Sequence, residues 1–111
     1  MQGGKLKAIA VTGAKRLDIL PNVPTVAETP GFKGYDVVAW TGLFAPAKTP
    51  APVIERLSHE LNAVLALPEV RATLQKQGAI AGSGSAQDFG RFVKAEQQRY
   101  EKAVKTAGIK E

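Results

Sequence analysis

Residues 35–45 read YDVVAWTGLFA and residues 49–65 read TPAPVIERLSHELNAVL, and the change between them decides the fold class. Aromatic and branched side chains dominate the first stretch around Gly42, which is typical of two short strand segments joined by a bend. In the second stretch, apolar residues recur with the spacing of one helix face, at Val53, Leu57, Leu61, Val64 and Leu65. The sequence therefore predicts that strands give way to helices near residue 49, which makes an α/β fold.

The chain before residue 35 predicts one strand, one loop and one short helix. Leu6 to Val11 read LKAIAV, a short apolar run that we expect to form a strand buried on both faces and ending at Thr12. Residues 14–24 contain two prolines and several polar residues, which predicts a loop. Thr25 and Glu28 have the spacing of a capping box, in which the Thr hydroxyl and the Glu carboxylate satisfy backbone N–H groups at a helix start.

The chain after residue 49 predicts three helices. Thr49 is the expected N-cap of the first, with Pro50 at the first helical position, and Pro68 ends it. A short second helix is expected over residues 69–77, stopped by Gly78.

The third helix is expected to be long and to have a defined start and end. Ser85 and Asp88 predict a cap at its beginning and Gly108 predicts its end. Between the second and third helices, Ile80 is expected in a brief edge segment. The inward side chains predicted for the third helix are Phe89, Phe92, Val93, Tyr100 and Val104.

Composition excludes several classes of protein. The 111 residues suffice for one compact domain, and 44% hydrophobic with 23% charged side chains is a globular composition. The net charge of +5 is spread from Lys5 to Lys110 rather than gathered with aromatics on one stripe, so we expect no nucleic-acid binding. The absence of cysteine excludes disulfides, thiol nucleophiles and cysteine-ligated metals. We also expect neither a membrane span nor a signal peptide in this chain.

No catalytic residue, metal ligand or cofactor is assigned. His59 is the only histidine, and although Glu55 shares its helix side at a spacing of four, a solvated helix face is the expected explanation. Ser58 cannot pair with His59 as nucleophile and base because adjacent helical side chains point about 100° apart.

Two glycine-containing turns resemble phosphate-binding loops only in part. Residues 82–87 read GSGSAQ, with Gln87 where a dinucleotide loop needs its third glycine, so a linker with a helix cap is expected. Residues 12–16 read TGAKR and lack the upstream glycine of a phosphate loop. Their backbone amides and the cations Lys15 and Arg16 predict either contact with an anion or a plain solvated turn. Trp40 is expected either to fill the core, which is the default, or to form a cleft wall.

Several separated signatures together resemble a known family. They are GKLKAIAVTGAKR, LPNVPTVAETPGFKGY with its Pro-x-Val-Pro-Thr-x-x-Glu box at 21–28, AWTGLFAPAKTP and PVIERL. In this order, from about Gly4 to Ile109, they resemble the C-terminal part of the Bug (TctC-like) family of periplasmic solute-binding proteins.

The resemblance implies a partial type II periplasmic-binding-protein fold, in which two α/β lobes close over a small carboxylate. Residues 1–36 would be the remnant of the second lobe, with its strand, loop and short helix. Residues 37–111 would be the crossover and the C-terminal part of the first lobe. The residues placed nearest a ligand are Thr12, Gly13, Trp40 and Thr41.

The function implied is that of a solute-binding protein, or part of one, for small di- or tricarboxylates. It would act in the periplasm and deliver its ligand to the membrane subunits of a tripartite tricarboxylate-type transporter. The alternative is a truncated chain that binds no ligand and acts as a structural or self-associating module, most simply as a homodimer. An enzyme is the third and least supported interpretation, because the chain lacks cysteine and a close carboxylate pair.

Overall fold

The structure is a computed structural model that describes residues 3–110. A 3-10 helix covers Val26–Glu28 and is followed by three α-helices, α1 (Ala51–Ala66), α2 (Pro68–Lys76) and α3 (Ala86–Ala107). Among the described residues, strand pairing is limited to one parallel bridge between Val11 and Thr25. The helical half of the predicted fold is therefore confirmed.

The predicted strands do not form in this structure. Residues 6–10 and 35–45 have no regular secondary structure, and neither does Ile80, which was expected in an edge segment. A strand exists only through a ladder of hydrogen bonds to a neighbour. Val11 donates to the Pro24 carbonyl and accepts from the Val26 N–H, both at 2.9 Å, and the Val37 N–H donates to the Thr12 carbonyl at 2.9 Å, but these bonds form no ladder. Leu6 and Ile9 are 73% and 79% exposed, so the expected burial on both faces is also wrong for this chain.

The helix ends follow local sequence signals with one exception. Ser85 Oγ accepts the Asp88 N–H and Asp88 Oδ2 accepts the Ser85 N–H, both at 3.0 Å, which confirms the predicted capping box of α3. Gly108 ends α3 at a φ of 66°, as glycine does at left-handed caps. Thr49, however, is not the N-cap of α1. Its hydroxyl donates to the Pro46 carbonyl at 2.7 Å, and Pro50 takes the cap position instead.

The second helix begins one residue earlier than expected. Pro68 is the first residue of α2 rather than only the end of α1, since a first helical position needs no backbone N–H. Gly78, at a φ of 74°, follows its end as predicted, and the Ala79 N–H donates to the Leu74 carbonyl at 2.9 Å.

Few side chains are sequestered from solvent. Among the described residues no hydrophobic side chain is buried, and Thr25, at 3% exposure, is the single buried residue. On α1 the half-buried residues are Ile54, Ser58, Leu61, Asn62 and Leu65. Of the predicted core stripe, Leu61 and Leu65 belong to this face, but Val53, Leu57 and Val64 are exposed by 46%, 55% and 46%.

The half-buried face of α1 includes a polar contact. Asn62 bonds to the backbone of Gly84, so the side of α1 that carries Asn62 faces the segment leading into α3. On α3, Phe89 and Val93 are half-buried as expected, and the rings of Phe89 and Phe92 stack at 6.3 Å. The other predicted inward residues are exposed: Phe92 by 42%, Tyr100 by 51% and Val104 by 42%.

The chain divides into two compact units. The first contains the chain up to Phe44 together with Thr73–Ala79, and the second contains Ala45–Ala72 and the chain from Ile80 onward. The predicted boundary after residue 36, which concerns the lobes of the family fold, stays a prediction. No helix in the described part of the chain has the length and apolar character needed to cross a membrane.

Candidate functional site

A tight turn at residues 12–14 is the best-defined structure around the predicted ligand-adjacent residues. The Thr12 carbonyl accepts the Val37 N–H at 2.9 Å, and the Ala14 N–H donates to Asp36 Oδ1 at 3.0 Å. A β-carbon on Gly13 would stand 3.3 Å from Cγ2 of Val38, so glycine allows the two segments to approach closely. The structure thus brings the 12–14 turn against residues 36–38, all within the first unit.

The turn presents two backbone donors. Within the described residues, the N–H groups of Thr12 and Gly13 have no protein acceptor, whereas the Ala14 N–H is held by Asp36. Thr12 is exposed and Gly13 is half-buried. Successive backbone N–H groups at a turn can bind a carboxylate oxygen without a charged side chain. This pair of donors is therefore the feature of the turn that suits an anionic ligand.

The charges beside the turn decide which cation is available to an anion. Contact with an anion was one of two alternatives for Arg16, but its Nε donates to Glu28 Oε2 at 3.0 Å and its Nη2 donates to Glu28 Oε1. Its Nη1 also donates to the Pro21 carbonyl at 3.2 Å. Of the two predicted cations, only Lys15 is left exposed without such a pairing, and Asp36 adds a negative charge at the turn.

Arg16 and Glu28 form an ion pair that joins the two ends of the loop between them. Glu28 Oε2 also accepts the Thr25 N–H at 2.7 Å, completing the capping box predicted at this position. The hydrogen bond from Arg16, then that from the Thr25 backbone, lowers the pKa of Glu28 to about 2. The same hydrogen bond raises the pKa of Arg16. The ion pair thus closes the loop of residues 16–28 beside Thr25, the residue that bridges to Val11.

Trp40 and Thr41 follow the segment that the turn contacts. The turn's close approaches reach Val38, two residues before Trp40. Trp40 is 39% exposed and Thr41 is exposed, so Trp40 does not fill a core in this structure and the default expectation for it is wrong. An exposed indole offers an apolar face and one N–H donor, which suits the other alternative, a cleft wall.

A second candidate lies in the second unit, between the start of α1 and the start of α3. It is an open cleft of about 590 Å³. Glu55 and His59 line it, as their shared helix side predicts, and both are exposed. No group of three or more His, Asp or Glu side chains among the described residues could hold a metal ion. The cleft also contains no buried polar side chain, so it lacks the features of a built ligand site.

Asn62 connects the α1 side of the cleft to the segment that precedes α3. Asn62 Nδ2 donates to the Gly84 carbonyl at 2.9 Å and Oδ1 accepts the Gly84 N–H at 3.1 Å, so the side-chain amide pairs with the backbone like a neighbouring strand. Nδ2 also donates to the Ser58 carbonyl at 2.8 Å. Gly84 has a φ of 128°, which explains a glycine here better than a flexible linker does.

Sequence reasoning missed Asp36 and Asn62, the two side chains that position these sites. Asp36 had a signal, because it is an acidic residue between Tyr35 and Val37 in an otherwise apolar stretch. Asn62 had a similar one, as a polar residue next to Leu61 within α1. Neither signal names the partner, which is 22 residues away in each case.

Comparisons with known proteins agree on a class. The chain is similar to the solved structure of R. palustris Rpa4515 with adipate, with 40% sequence identity and a TM-score of 0.82 over 97% of this chain and 36% of that one. It is 37% identical to the UPF0065 protein in the tcbD-tcbE intergenic region of Pseudomonas sp. (strain P51), over 90% of this chain and 30% of the relative. It is also 37% identical to the UPF0065 protein in the TAR-I ttuE-ttuC' intergenic region of Agrobacterium vitis, over 97% and 32%.

The class is that of transporter receptors. Residues 1–109 match the family described as the tripartite tricarboxylate transporter family receptor, and the chain belongs to this family. The resemblance noted from the sequence is therefore confirmed. The chain spans about a third of the length of the relatives it matches. The family is a receptor family by description and not a family of enzymes.

Proposed function

We propose that this chain supplies one wall of a binding site for a small di- or tricarboxylate, with the 12–14 turn as the part that meets a carboxylate. The observation that carries the proposal is the pair of consecutive N–H groups at Thr12 and Gly13, which have no protein acceptor among the described residues. Trp40 and Thr41, just beyond the segment packed on the turn, would add an apolar face and a hydroxyl. Binding needs no covalent chemistry and no cofactor in this scheme.

The comparisons support the ligand class. The matched family is named for tricarboxylate transport, and the similar R. palustris structure is described as containing adipate, a dicarboxylate. By this likeness, the assembled protein would act in the periplasm and deliver its ligand to the transporter's membrane subunits. Closure of two lobes over the ligand, as the type II fold implies, is the mechanism we expect.

The 111-residue chain alone should bind such ligands weakly or not at all. Removing a carboxylate from water is compensated only when several donors surround it at once. The 12–14 turn offers two N–H donors, and Asp36 places a negative charge beside them. Titration calorimetry with adipate and a panel of di- and tricarboxylates is expected to show no micromolar binding by the monomeric chain.

A chimaera tests the proposed wall directly. Residues 4–109 would replace the matching third of the R. palustris protein, and dicarboxylate binding would be measured by calorimetry. Gly13→Pro removes one of the two N–H donors, and Trp40→Ala removes the indole, so both are expected to weaken binding at least about tenfold. Gly82→Pro and Tyr100→Ala are the matched controls outside the turn. Equal affinities of all four variants, in chimaeras that bind the ligand, would contradict the proposed site.

The alternative function is a ligand-incompetent module that acts through self-association. The observation in its favour is the set of exposed apolar side chains in the first unit, where Leu43 and Phe44 are 74% and 69% exposed. Patches of this kind favour association, most simply as a homodimer. A chimaera that folds and binds no di- or tricarboxylate, together with a dimeric 111-residue chain in sedimentation equilibrium, would favour this alternative.

A further inference from the structure

Asp36 is bonded to the 12–14 turn and also carries a charge beside it. Its Oδ1 accepts the Ala14 N–H at 3.0 Å, and the next residue, Val37, donates its N–H to the Thr12 carbonyl at 2.9 Å. Two adjacent residues of one segment thus hold both ends of the turn. Asp36 itself is exposed, so a ligand charge close to the turn would meet its carboxylate.

The charges around the turn are balanced. Arg16 is paired with Glu28, so this cation is neutralised within its own loop. Lys15, which is exposed, contributes one positive charge and Asp36 one negative charge. The residues that form or hold the turn therefore provide no excess of positive charge beside its two N–H donors. Two such donors can compensate the desolvation of one carboxylate, whereas a second or third carboxylate close by would have no partner among these residues.

We propose that Asp36 is the specificity-determining residue of this site: it holds the turn in place, and its charge limits the turn to a single, isolated carboxylate. The inference rests on the proposed function and narrows its ligand class to molecules whose other charged groups lie far from the turn. Trp40 supports the same class, because an exposed indole face suits a methylene chain better than a second charged group. A compact tricarboxylate would place its additional charges next to Asp36.

The size of the effect follows from Coulomb's law. Two unit charges about 4–6 Å apart in water-like surroundings change an affinity about three- to fivefold. This value applies to Asp36, rather than the much larger one for a buried pair, because Asp36 is exposed. Removing the charge should therefore relax the discrimination against a tricarboxylate by about three- to fivefold, and added salt should weaken the discrimination in the unaltered site.

Calorimetry on the chimaera with the R. palustris protein tests the charge. Adipate would be titrated directly and propane-1,2,3-tricarboxylate by displacement of adipate, at about pH 8, where the carboxyl groups of both ligands are ionised. Asp36→Asn keeps an oxygen to accept the Ala14 N–H and loses the charge, so it should shift the affinity ratio towards the tricarboxylate by at least about threefold. Asp18→Asn makes the same change in net charge at an exposed residue outside the turn and should leave the ratio unchanged.

Amide exchange in the 111-residue chain tests the positioning role without any ligand. The Ala14 N–H should exchange at least about threefold faster in Asp36→Ala, which has no acceptor, whereas Asp36→Asn should restore the slower exchange. In the chimaera, Asp36→Ala should weaken the binding of both ligands, because the turn loses its anchor. Circular dichroism of each variant shows whether the helices are intact, so that these effects are read only from folded chains.

Four results would overturn the inference. They are an unchanged affinity ratio in Asp36→Asn, equal shifts of that ratio in Asp36→Asn and Asp18→Asn, no displacement of adipate by the tricarboxylate from either protein, and equal exchange of the Ala14 amide in the unaltered chain and Asp36→Ala. Failure of the proposed function is a different result. In that case the chimaera does not bind adipate, or Gly13→Pro and Trp40→Ala leave adipate binding unchanged.

Discussion

Replacing Asn62 by alanine should release the segment that leads into α3. Asn62 makes two hydrogen bonds to Gly84, of 2.9 and 3.1 Å, across 22 residues of sequence. Alanine keeps the helix propensity of α1 and removes both bonds, together with the bond to the Ser58 carbonyl. The perturbation therefore acts on the connection between α1 and the start of α3 and spares the helices themselves.

The size of the effect follows from the number and exposure of these bonds. A typical hydrogen bond contributes about 0.5–1.5 kcal/mol net, so two bonds set an upper range of about 1–3 kcal/mol. Gly84 is exposed, and water can replace Asn62 as its partner, which puts the expected loss at the lower end, about 1 kcal/mol. A free-energy change of that size corresponds to about a fivefold change in a local opening equilibrium.

Hydrogen exchange at the Gly84 amide measures this directly. In the unaltered chain this N–H donates to Asn62 Oδ1, so its exchange should be at least about fivefold slower than in Asn62→Ala. Asn62→Asp keeps an acceptor for the Gly84 N–H and loses the two N–H donors of the side chain. The exchange rate of the Gly84 amide in this variant should lie between the rates in the unaltered chain and in Asn62→Ala. Exchange of the Gly84 amide at the same rate in all three proteins would refute the role assigned to Asn62.

Three other predictions concern stability. Gly84→Ala should lower the free energy of unfolding by about 1–2 kcal/mol, because the φ of 128° at Gly84 disfavours a side chain and a β-carbon there would lie 3.4 Å from Asp88 Oδ2. Gly82→Ala, the control in the same thermal-melting comparison, should leave stability unchanged. Because the pKa of Glu28 is lowered to about 2 in the folded chain from its usual value near 4.5, its contribution is complete above pH 5 and is lost as the pH falls towards 2, so Glu28→Gln should flatten the acid limb of a stability profile. Leu61→Ala should lower the free energy of unfolding by about 1–2 kcal/mol, less than for a fully buried leucine, because Leu61 is half-buried. His59→Ala should change it by less than about 0.5 kcal/mol. Equal urea midpoints for these two variants would show that the half-buried face of α1 is misassigned.

Signals confined to a few residues predicted the structure well. The capping boxes at Thr25 and Ser85 and the glycine that ends α3 at Gly108 all lie where the sequence places them. Each of these signals depends on groups within about four residues, because only the unpaired backbone N–H or C=O groups of the first or last turn need hydrogen-bond partners at a helix end. Thr49 is the informative exception, because the nearby Pro46 carbonyl competes for its hydroxyl.

Features that need a distant partner were predicted poorly. The expected strand at residues 6–11 becomes a single bridge at Val11, because a ladder requires a second backbone along its whole length. The 12–14 turn shows the same dependence. Its residues Thr12 and Gly13 were chosen from the sequence, but the availability of their N–H groups is decided by Asp36 and Val37, which take the neighbouring donor and acceptor.

Most errors in predicting burial concern apolar residues that were expected in a core and are exposed. Leu6, Leu57 and Tyr100 were each expected to be buried from hydrophobic spacing, and each is more than half exposed. Spacing of this kind records the surfaces against which a sequence packs, whether or not those surfaces are contained in the 111 residues. The face of α1 is also shifted, since Ile54, which lies outside the predicted stripe, is half-buried. Hydrophobic spacing along α1 thus predicts a helix with an apolar side, whereas the direction in which that side faces depends on contacts with residues distant in sequence, such as that of Asn62 with Gly84.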